Sequence, residues 1–472
     1  MEEGLNLTQE QQEIIDAALR GRNLFITGSA GVGKSFTLNH LVEKLKGKHG
    51  AEHVFVTAST GIAGTHIKGT TAHGFAGCGT MESSVAACMT MAQGNGAEAR
   101  WKKVKVLIID EVSMLSGDII DKMDTIASRM RPYIQNMPFG GIQLIVTGDF
   151  FQLPPVSRDP NWRFAFECDA WKRCNFQPFV LTRIFRQDHE DFVRMLQKIR
   201  VGIVDDETDA MIRTRLHAVI PLSGGIKPTY LYCTNKVVDG ENDRELDKIM
   251  DQPLHTFKAR DKGQKNKLGK NMLVPEVLRL KVGAQVMLLK NLNPPHLVNG
   301  SRGVVIGYET GEMEGNIGRK LYPMIQFQNG IKKLIRAESF KVESGGVTAA
   351  ERIQVPLKLA WALTIHKSQG MTLDSVIMDI SRAFGPGQAY VALSRCTCLK
   401  GMILNGYDRT KIRADGRVLE YYAALGDPMA KEALAITPPV SKRLKPTPSP
   451  GETFYKPSKR PSSLARIIED DL

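Results

Sequence analysis

The first 200 residues alternate between short apolar runs of strand length and longer stretches with the apolar period of a helix. The apolar runs, each typical of a buried strand, cover 23–28, 54–60, 104–110 and 142–148. Helices are predicted over 7–21, with Thr8 as N-cap and Gly21 as stop, and over 117–131. Strands that alternate with helices and are apolar throughout predict a parallel sheet covered on both faces.

The second half repeats this alternation around a stretch of different character. A strand is predicted at 228–235, a helix at 236–250 and a further strand at 375–380. Between them, short alternating runs separated by Gly and Asn predict a small antiparallel β module inserted into an α/β domain. Residues 437–472, which are rich in Pro, Ser, Lys and Arg, predict a disordered tail.

Composition narrows the class of protein. The 472 residues are 42% hydrophobic and 24% charged, the balance of a globular protein of roughly three domains. No apolar run reaches the ~18 residues of a membrane span, and the acidic start has neither secretory nor transit-peptide features. The seven cysteines form no C-x-x-C pair, which favours reduced thiols. We therefore expect no membrane contact and a nuclear location, or a cytoplasmic one in a prokaryotic or viral source, rather than a mitochondrial one.

The stretch GSAGVGKS has the G-x-x-x-x-G-K-S pattern of a phosphate-binding loop, set between a predicted strand and a predicted helix. Its glycines let backbone N–H groups close around phosphate oxygens, and the helix directs its positive end at the same anion. Lys34 is expected to reach the β- and γ-phosphates, and Ser35 to hold Mg²⁺. The candidate ligands of ATP are Gly28, Ser29, Ala30, Gly31, Val32, Gly33, Lys34 and Ser35.

Two acids follow the apolar strand in VLIIDEVS, residues 106–113. Asp110 is the candidate metal-side carboxylate, and Glu111 is the candidate that orients or deprotonates the attacking water. The alternative, that the pair only caps the next helix, stays open on the residues alone.

The stretch VTGDFFQLPPV, residues 146–156, places polar side chains just past another predicted strand end. Asp149 and Gln152 are expected beside the γ-phosphate, where an amide can bond both a phosphate oxygen and the attacking water. Gln152 is therefore a candidate sensor of the γ-phosphate, and Phe150, Phe151 and the pair Pro154 and Pro155 would transmit its state to the neighbouring part of the molecule. A motor needs such a relay, whereas a kinase does not.

Arginines in both halves are candidates to meet the charge that develops on the γ-phosphoryl group. Arg183 and Arg186 lie in LTRIFRQ near the end of the first half, and Arg395 lies in GQAYVALSRC deep in the second. If the two halves face each other across ATP, Arg395 is the natural candidate. Taken alone, each arginine is more typical of a surface residue than of a catalytic one. The net charge of +13 also favours a polyanionic partner, such as nucleic acid.

In their order along the chain, these stretches resemble the motifs of the Pif-family DNA helicases, superfamily-one helicases related to RecD. The segments that resemble the glutamine motif and the helicase motifs are LTQEQQ, GSAGVGKS, IIDEVSML, TGDFFQLPPV, FRQ, LTIHKSQGMTLDSV and YVALSRC. SMLSGDIIDKMDTIASRMR resembles the short signature of the family, and TASTGIAGTHIKGTTAHGFAG resembles its segment for contact with single-stranded DNA. The match covers about residues 7–408, and Gly74 departs from it where the family often has serine.

The resemblance implies an α/β fold with two RecA-like domains. The implied divisions are RecA-like domain one at 1–61 and 104–200, a wedge insertion at 62–103, RecA-like domain two at 201–284 and 351–430, a small β-barrel at 285–350 and a disordered basic tail at 431–472. The resemblance also implies that Gln11 contacts the adenine and that Gly370 belongs to the nucleotide site. The candidate DNA contacts, at predicted strand ends or loops, are Thr60, Gly61, His73, Thr364, His366 and Lys367.

The resemblance further implies an Mg²⁺-dependent ATP hydrolase that moves 5′ to 3′ on single-stranded DNA and unwinds tailed or structured duplex DNA. DNA repair, recombination, replication and telomere maintenance are compatible processes. A monomer is expected, and the tail could bind protein partners. Two alternatives stay open, a P-loop NTPase switch and a RecD-like translocase without processive unwinding. A passive single-strand-binding module would predict damage at Lys34 or at Asp110 and Glu111, and all three residues are intact.

Overall fold

The computed structural model describes residues 7–436, except 61–62, 65–66, 68, 95, 135, 158, 188, 221–225, 264–267, 269–271, 273, 294–295, 298, 313–318 and 345–346. Gly61 and the predicted tail beyond residue 436 therefore lie outside the described residues. Within the described ranges, no helix is both long enough and apolar enough to cross a membrane.

Six parallel strands form the sheet of the first half. They are β1 (Leu24–Thr27), β2 (Val54–Ala58), β3 (Thr70–Thr71), β4 (Val106–Asp110), β5 (Gln143–Thr147) and β6 (Gln177–Val180). Their order across the sheet is β3-β2-β4-β5-β1-β6, so the predicted parallel sheet is confirmed. Because β4, β5 and β1 are neighbours, the loops after these three strands meet at one edge of the sheet.

Helices cover both faces of this sheet, as its apolar strands predict. They are α1 (Gln9–Leu19), α2 (Lys34–His49), α3 (Ala72–Ala76), α4 (Val85–Gly94), α5 (Ala97–Lys103), α6 (Gly117–Met130), α7 (Asp169–Cys174) and α8 (Glu190–Arg200). Alternate residues of one strand enter different cores: Leu24 and Ile26 pack with the residues of α1 and α2, and Phe25 packs on the opposite face. The predicted N-cap of α1 is confirmed, because Thr8 and Gln11 form a reciprocal capping box.

The described part of the predicted wedge segment, residues 62–103, shares the core of the first half. Trp101 and Phe75 are buried with their ring centroids 4.7 Å apart, in the same cluster as Leu107 and Ile109 of the sheet. Lys122 Nζ on α6 donates a hydrogen bond to the Met81 carbonyl at 2.6 Å. These contacts fix α3 to α5 on the first sheet.

The second half contains fourteen described strands and six described helices. The strands are β7 (Thr229–Tyr232), β8 (His255–Lys258), β9 (Arg260–Gly263), β10 (Val277–Leu280), β11 (Gln285–Leu288), β12 (Arg302–Glu312), β13 (Arg319–Phe327), β14 (Lys332–Leu334), β15 (Glu338–Ser344), β16 (Val347–Gln354), β17 (Leu357–Leu359), β18 (Ala362–Thr364), β19 (Val376–Asp379) and β20 (Met402–Gly406). The helices are α9 (Asp206–Arg213), α10 (Asn235–Asp247), α11 (Ile365–Ser368), α12 (Gln388–Leu393), α13 (Gly416–Ala424) and α14 (Pro428–Ile436).

Two kinds of sheet follow from these strands. Strands β18-β7-β19-β20 form a second parallel sheet, so the second α/β half has the predicted character. The rest pair antiparallel as β14-β13-β12-β11-β17, β15-β16-β9 and β10-β8. Antiparallel pairing thus extends over 255–359, beyond the predicted module at 285–350, and the described strands form open ladders, so a closed barrel is not confirmed.

Two helical segments pack across the predicted domain boundaries. Helix α8, predicted to belong to the first half, buries Phe192, Met195 and Ile199 in the apolar cluster of the second half. Conversely, α13 and α14 return to the first half, where Tyr422 joins the core of the first sheet. The predicted tail from residue 431 is corrected at its start, because α14 continues to Ile436.

Candidate nucleotide-binding site

A cavity of about 460 Å³ lies between the carboxyl ends of the strands of the first sheet and the second half. Its predicted lining residues are Ala30, Gly31, Val32, Gly33, Lys34, Ser35, Glu111, Gln152, Arg186, Gly370 and Arg395. Phe36, Phe185 and Thr372 also line it and were not predicted. The volume is that of a small-molecule site, and both halves of the chain contribute to it.

The phosphate-binding loop has the backbone shape that its glycines predict. Gly33 has φ +81° and forms the N-cap of α2, so the free N–H groups at the start of that helix face the cavity. Lys34 Nζ donates hydrogen bonds to the Gly28 and Ser29 carbonyls at 2.7 and 2.9 Å. Burial lowers the pKa of the Lys34 ammonium, against the attraction of Asp149 and Glu111. These carbonyls hold the cation at the loop.

The two acids at the end of β4 occupy different positions. Asp110 is 5% exposed, and its Oδ1 accepts hydrogen bonds from the Thr147 hydroxyl and from the Glu111 N–H. Glu111 lines the cavity and has φ +52°, a left-handed conformation that directs the chain away from the strand. Burial raises the pKa of both carboxyl groups, and Asp110 raises that of Glu111 further.

The Glu111 carboxylate has a partner that the sequence analysis did not assign. Gln369 Nε2, from the second half, donates a hydrogen bond to Glu111 Oε2 at 2.9 Å. Attraction from Lys34 and this hydrogen bond both lower the pKa of Glu111, against the effect of burial. The signal was present in the chain, because Gln369 directly precedes the predicted nucleotide residue Gly370 in the stretch IHKSQG.

Gln152 and Asp149, which were predicted to lie together at the γ-phosphate, are joined by a hydrogen bond from the Gln152 N–H to the Asp149 carbonyl at 2.9 Å, but only one of them lines the cavity. Gln152 lines the cavity, as expected of a sensor. Asp149 is fully buried behind it, where Arg200 donates to its two carboxylate oxygens at 2.9 and 3.0 Å. Asp149 is therefore an anchor of the loop, because a buried carboxylate needs a paired and hydrogen-bonded cation.

The phenylalanine relay also differs from its prediction. Phe150 packs in an aromatic cluster with Phe25 and Trp171 of the first half. The Phe151 ring lies 4.6 Å from the ring of Tyr422 on α13. Neither side chain belongs to the apolar cluster of the second half, whereas Leu153, the residue after Gln152, does.

Both cavity arginines are held by carbonyl groups of the second half, Arg186 half-buried and Arg395 fully buried. Arg186 Nη1 donates to the Ser394 carbonyl at 3.2 Å. Arg395 is 1% exposed, and its Nε donates to the Val391 carbonyl at 2.8 Å. Burial lowers the pKa of each guanidinium, although arginine stays charged at neutral pH. Arg183 instead lies with its guanidinium carbon 5.1 Å from the centre of the Phe185 ring.

Gln11, the predicted adenine contact, lies beside the cavity without lining it. Its Oε1 accepts from the Thr8 N–H at 3.0 Å, which completes the capping box of α1. A Cβ atom placed on Gly33 would lie 3.2 Å from Gln11 Nε2, so the amide rests directly against the phosphate-binding loop.

The donor groups beside the loop fit a hard divalent cation. Magnesium prefers a few protein oxygens together with phosphate and water oxygens, and a hydroxyl and a carboxylate are suitable donors. Ser35 lines the cavity, and Asp110 lies buried at the adjoining strand end. Within the described ranges, no group of three His, Cys, Asp or Glu side chains could hold a metal by itself.

The candidate DNA contacts lie at the ends of β2 and β18 and on the short helices after β3 and β18. Thr60 Oγ1 accepts from the Ala63 N–H at 3.2 Å, and Thr364 caps α11 by accepting from the Lys367 N–H. Both hydroxyls therefore already have backbone partners. His73 and His366 are half-buried, and burial lowers the pKa of each, which favours neutral imidazoles. Lys367 is exposed.

Comparison with known proteins completes the description of the site. The family model of PIF1-like helicases matches residues 6–210, and that of the 2B domain of DNA helicase Pif1 matches residues 264–308. The human ATP-dependent DNA helicase PIF1 is 42% identical over 424 residues, which cover 89% of this chain and 64% of that protein. The chain thus spans slightly less than two thirds of the length of such relatives.

Solved structures give the same result over the full length of their chains. The crystal structure of Pif1 helicase from Candida albicans has a TM-score of 0.78 and 38% identity, with 89% of this chain and 100% of that chain covered. Pif1 helicase from Bacteroides in complex with ADP-AlF3 and ssDNA has a TM-score of 0.64 and 28% identity, with 90% and 99% covered.

Proposed function

The chain belongs to the PIF1-like helicase family, and from that premise we propose that it is an ATP-dependent DNA helicase that moves 5′ to 3′ on single-stranded DNA. We further propose that it unwinds tailed or structured duplex DNA in genome maintenance. The direction of movement and the biological process rest on the family resemblance, and the nucleotide chemistry also rests on the site geometry.

One observation carries the proposal: two α/β halves contribute charged side chains to one cavity. The first half supplies Lys34 and Glu111, and the second supplies Arg395. A triphosphate bound there would contact both halves, so that hydrolysis would change the contact between them. Such a change is the minimum requirement of a motor.

Each cavity side chain has a role that its position supports. Lys34, released from the Gly28 and Ser29 carbonyls, would neutralise the β- and γ-phosphates. Glu111, ionised and oriented by Gln369, would orient the attacking water and accept its proton. Arg395 would stabilise the charge that develops on the γ-phosphoryl group.

The remaining polar groups complete the proposed site. Gln152 would hydrogen-bond the γ-phosphate and report its loss, because it lines the cavity and is followed by Leu153 in the apolar cluster of the second half. Mg²⁺, when bound through Ser35 and Asp110, supplies charge neutralisation to the phosphates.

The test is ATP hydrolysis measured with and without a single-stranded oligonucleotide, followed by unwinding of duplexes with a 5′ or a 3′ tail. We expect DNA to stimulate hydrolysis and only the 5′-tailed duplex to be separated. Equal hydrolysis with and without DNA would refute the motor function. Unwinding of the 3′-tailed duplex alone would refute the direction.

A RecD-like translocase without processive unwinding is the second candidate, because the cavity chemistry is the same for both. The two functions differ in the product of a single binding event. A translocase would displace a protein block from single-stranded DNA and leave a long 5′-tailed duplex intact. A helicase would displace the block and also unwind the duplex.

A further inference from the structure

Helix α12, which ends two residues before Arg395, docks on the first half at both of its ends. At its start, a Cβ atom on Gly387 would overlap the backbone carbonyl oxygens of Phe151 and Gln152. Gly387 also has φ +74°, so a larger residue there is strained and lacks space. The start of α12 therefore rests directly on the backbone of Phe151 and Gln152, in the segment 149–153 that we call the sensor segment.

The middle of the helix contacts the phosphate-binding loop. The Tyr390 hydroxyl accepts a hydrogen bond from the Ala30 N–H at 2.9 Å, and Tyr390 is 2% exposed. Ala30 and Leu153 pack in the same apolar cluster as Tyr390 and Leu393. A hydrogen bond and a shared apolar cluster thus join α12 to the first half.

The end of the helix is held by side chains of the first half. Arg186 Nη1 donates to the Ser394 carbonyl, and Gln187 Nε2 donates to the Cys396 carbonyl at 3.1 Å. Within the helix terminus, Arg395 Nη2 donates to Ser394 Oγ at 2.8 Å, while its Nε is held by the Val391 carbonyl. The guanidinium of Arg395 is therefore rigid with respect to α12.

We infer that Tyr390 is a positioning residue, which sets the place of Arg395 over the γ-phosphate by tying α12 to the phosphate-binding loop. The inference rests on the proposed ATP hydrolysis and deepens it. Tyr390 does not line the cavity, so it acts through the helix. Through Gly387, the same rigid helix also contacts the sensor segment that contains Gln152.

The experiment compares Tyr390→Phe with the wild-type chain at saturating single-stranded DNA. The ring stays and only the hydroxyl is lost, so we expect kcat for ATP to fall about fivefold, the equivalent of one hydrogen bond in the transition state. KM and the affinity for a non-hydrolysable ATP analogue should change less than about twofold, because the cavity keeps all its ligands.

The matched control is Tyr407→Phe, because the Tyr407 hydroxyl donates to Asp209 Oδ1 at 2.7 Å within the second half. It should leave kcat unchanged. A kcat within twofold of wild type for Tyr390→Phe, or a lower melting temperature with unchanged kcat, would overturn the inference. If the wild-type chain shows no DNA-stimulated hydrolysis, the proposed function itself fails. If DNA stimulates hydrolysis by the wild-type chain and Tyr390→Phe has the same kcat, only the proposed role of Tyr390 fails.

Discussion

At the scale of single residues, Lys34 is the side chain on which the nucleotide site depends most directly. Its ammonium is held by two loop carbonyls, and Lys34 is the one cationic residue of the stretch GSAGVGKS, so no other side chain of the loop can supply its charge. We expect Lys34→Ala to lower kcat for ATP hydrolysis by about 100-fold or more, the effect of removing one preorganised electrostatic contact. Steady-state hydrolysis with single-stranded DNA measures it.

The control for this prediction is Lys44→Ala, which removes an exposed lysine from the same helix. It should leave hydrolysis and melting temperature unchanged. Wild-type turnover in Lys34→Ala would contradict the assignment of the phosphate-binding loop, and a large loss of melting temperature would show that the lysine acts in folding.

We expect the pKa of Glu111, and its hydrogen bond from Gln369, to set the pH dependence of hydrolysis. Burial raises the pKa of Glu111, and the Gln369 hydrogen bond lowers it because it stabilises the ionised form. Removing that bond in Gln369→Ala should raise the pKa further. Since Glu111 must be ionised to accept a proton, the acid limb of the kcat/KM profile should move to higher pH.

Gln328→Ala is the matched control, because Gln328 also donates an amide hydrogen bond to a carboxylate, that of Asp374. Its acid limb should coincide with that of the wild-type chain. An acid limb that moves to lower pH in Gln369→Ala, or does not move, would remove Glu111 from the role of proton acceptor.

The sequence predicted the site residues that have a local signal, and it did not predict contacts between residues that are distant in the chain. Lys34, Glu111 and Arg186 were found because loop and strand-end chemistry is local: a glycine pattern, an apolar strand and an arginine nearby in the chain. The contacts that Gln369 and Tyr390 make with the first half were not predicted, because their partners lie more than 250 positions away in the chain. Only the pairing of the two halves brings such groups together.

At the scale of elements, α8 and α13 stabilise the sensor segment through one buried ionic network. Arg200 on α8 pairs with Asp149 and, at 3.2 Å, with Asp427, while the Tyr422 hydroxyl on α13 bonds Thr27 at 2.6 Å. Neither helix was predicted from the sequence, and the residues of α13 were assigned to the second RecA-like domain. No local signal marks a helix that returns across the molecule.

We expect Arg200→Ala to lower the free energy of unfolding by about 3–5 kcal/mol, because it leaves the Asp149 carboxylate buried and unpaired. Chemical denaturation of the full chain measures the loss. Arg194→Ala on the same helix is the control, since its partners Asp191 and Glu207 are exposed and such pairs contribute less than about 1 kcal/mol. Equal losses in the two variants would show that the network does not anchor the segment.

At the scale of the whole molecule, the positive charge of the chain and its family both predict that its affinity for DNA depends on salt concentration. The chain carries 63 Lys and Arg against 50 Asp and Glu. A protein that tracks the backbone of a single strand displaces counterions, so its affinity falls with salt. If about four phosphates are contacted, the slope of log affinity against log salt should be near −3.

Lys367 tests whether the predicted DNA residues produce that slope. Lys367 is exposed on α11, and burial together with the charge of Lys367 lowers the pKa of the neighbouring Lys358 to about 8, so two lysines lie close together there. Lys367→Ala should weaken DNA binding equally for different sequences and make the salt slope shallower by about 0.7, because one phosphate contact is lost. Lys44→Ala should keep the wild-type slope. A flat salt response in the wild-type chain would mean that DNA is held by stacking alone, and an unchanged slope in Lys367→Ala would place the DNA path away from α11.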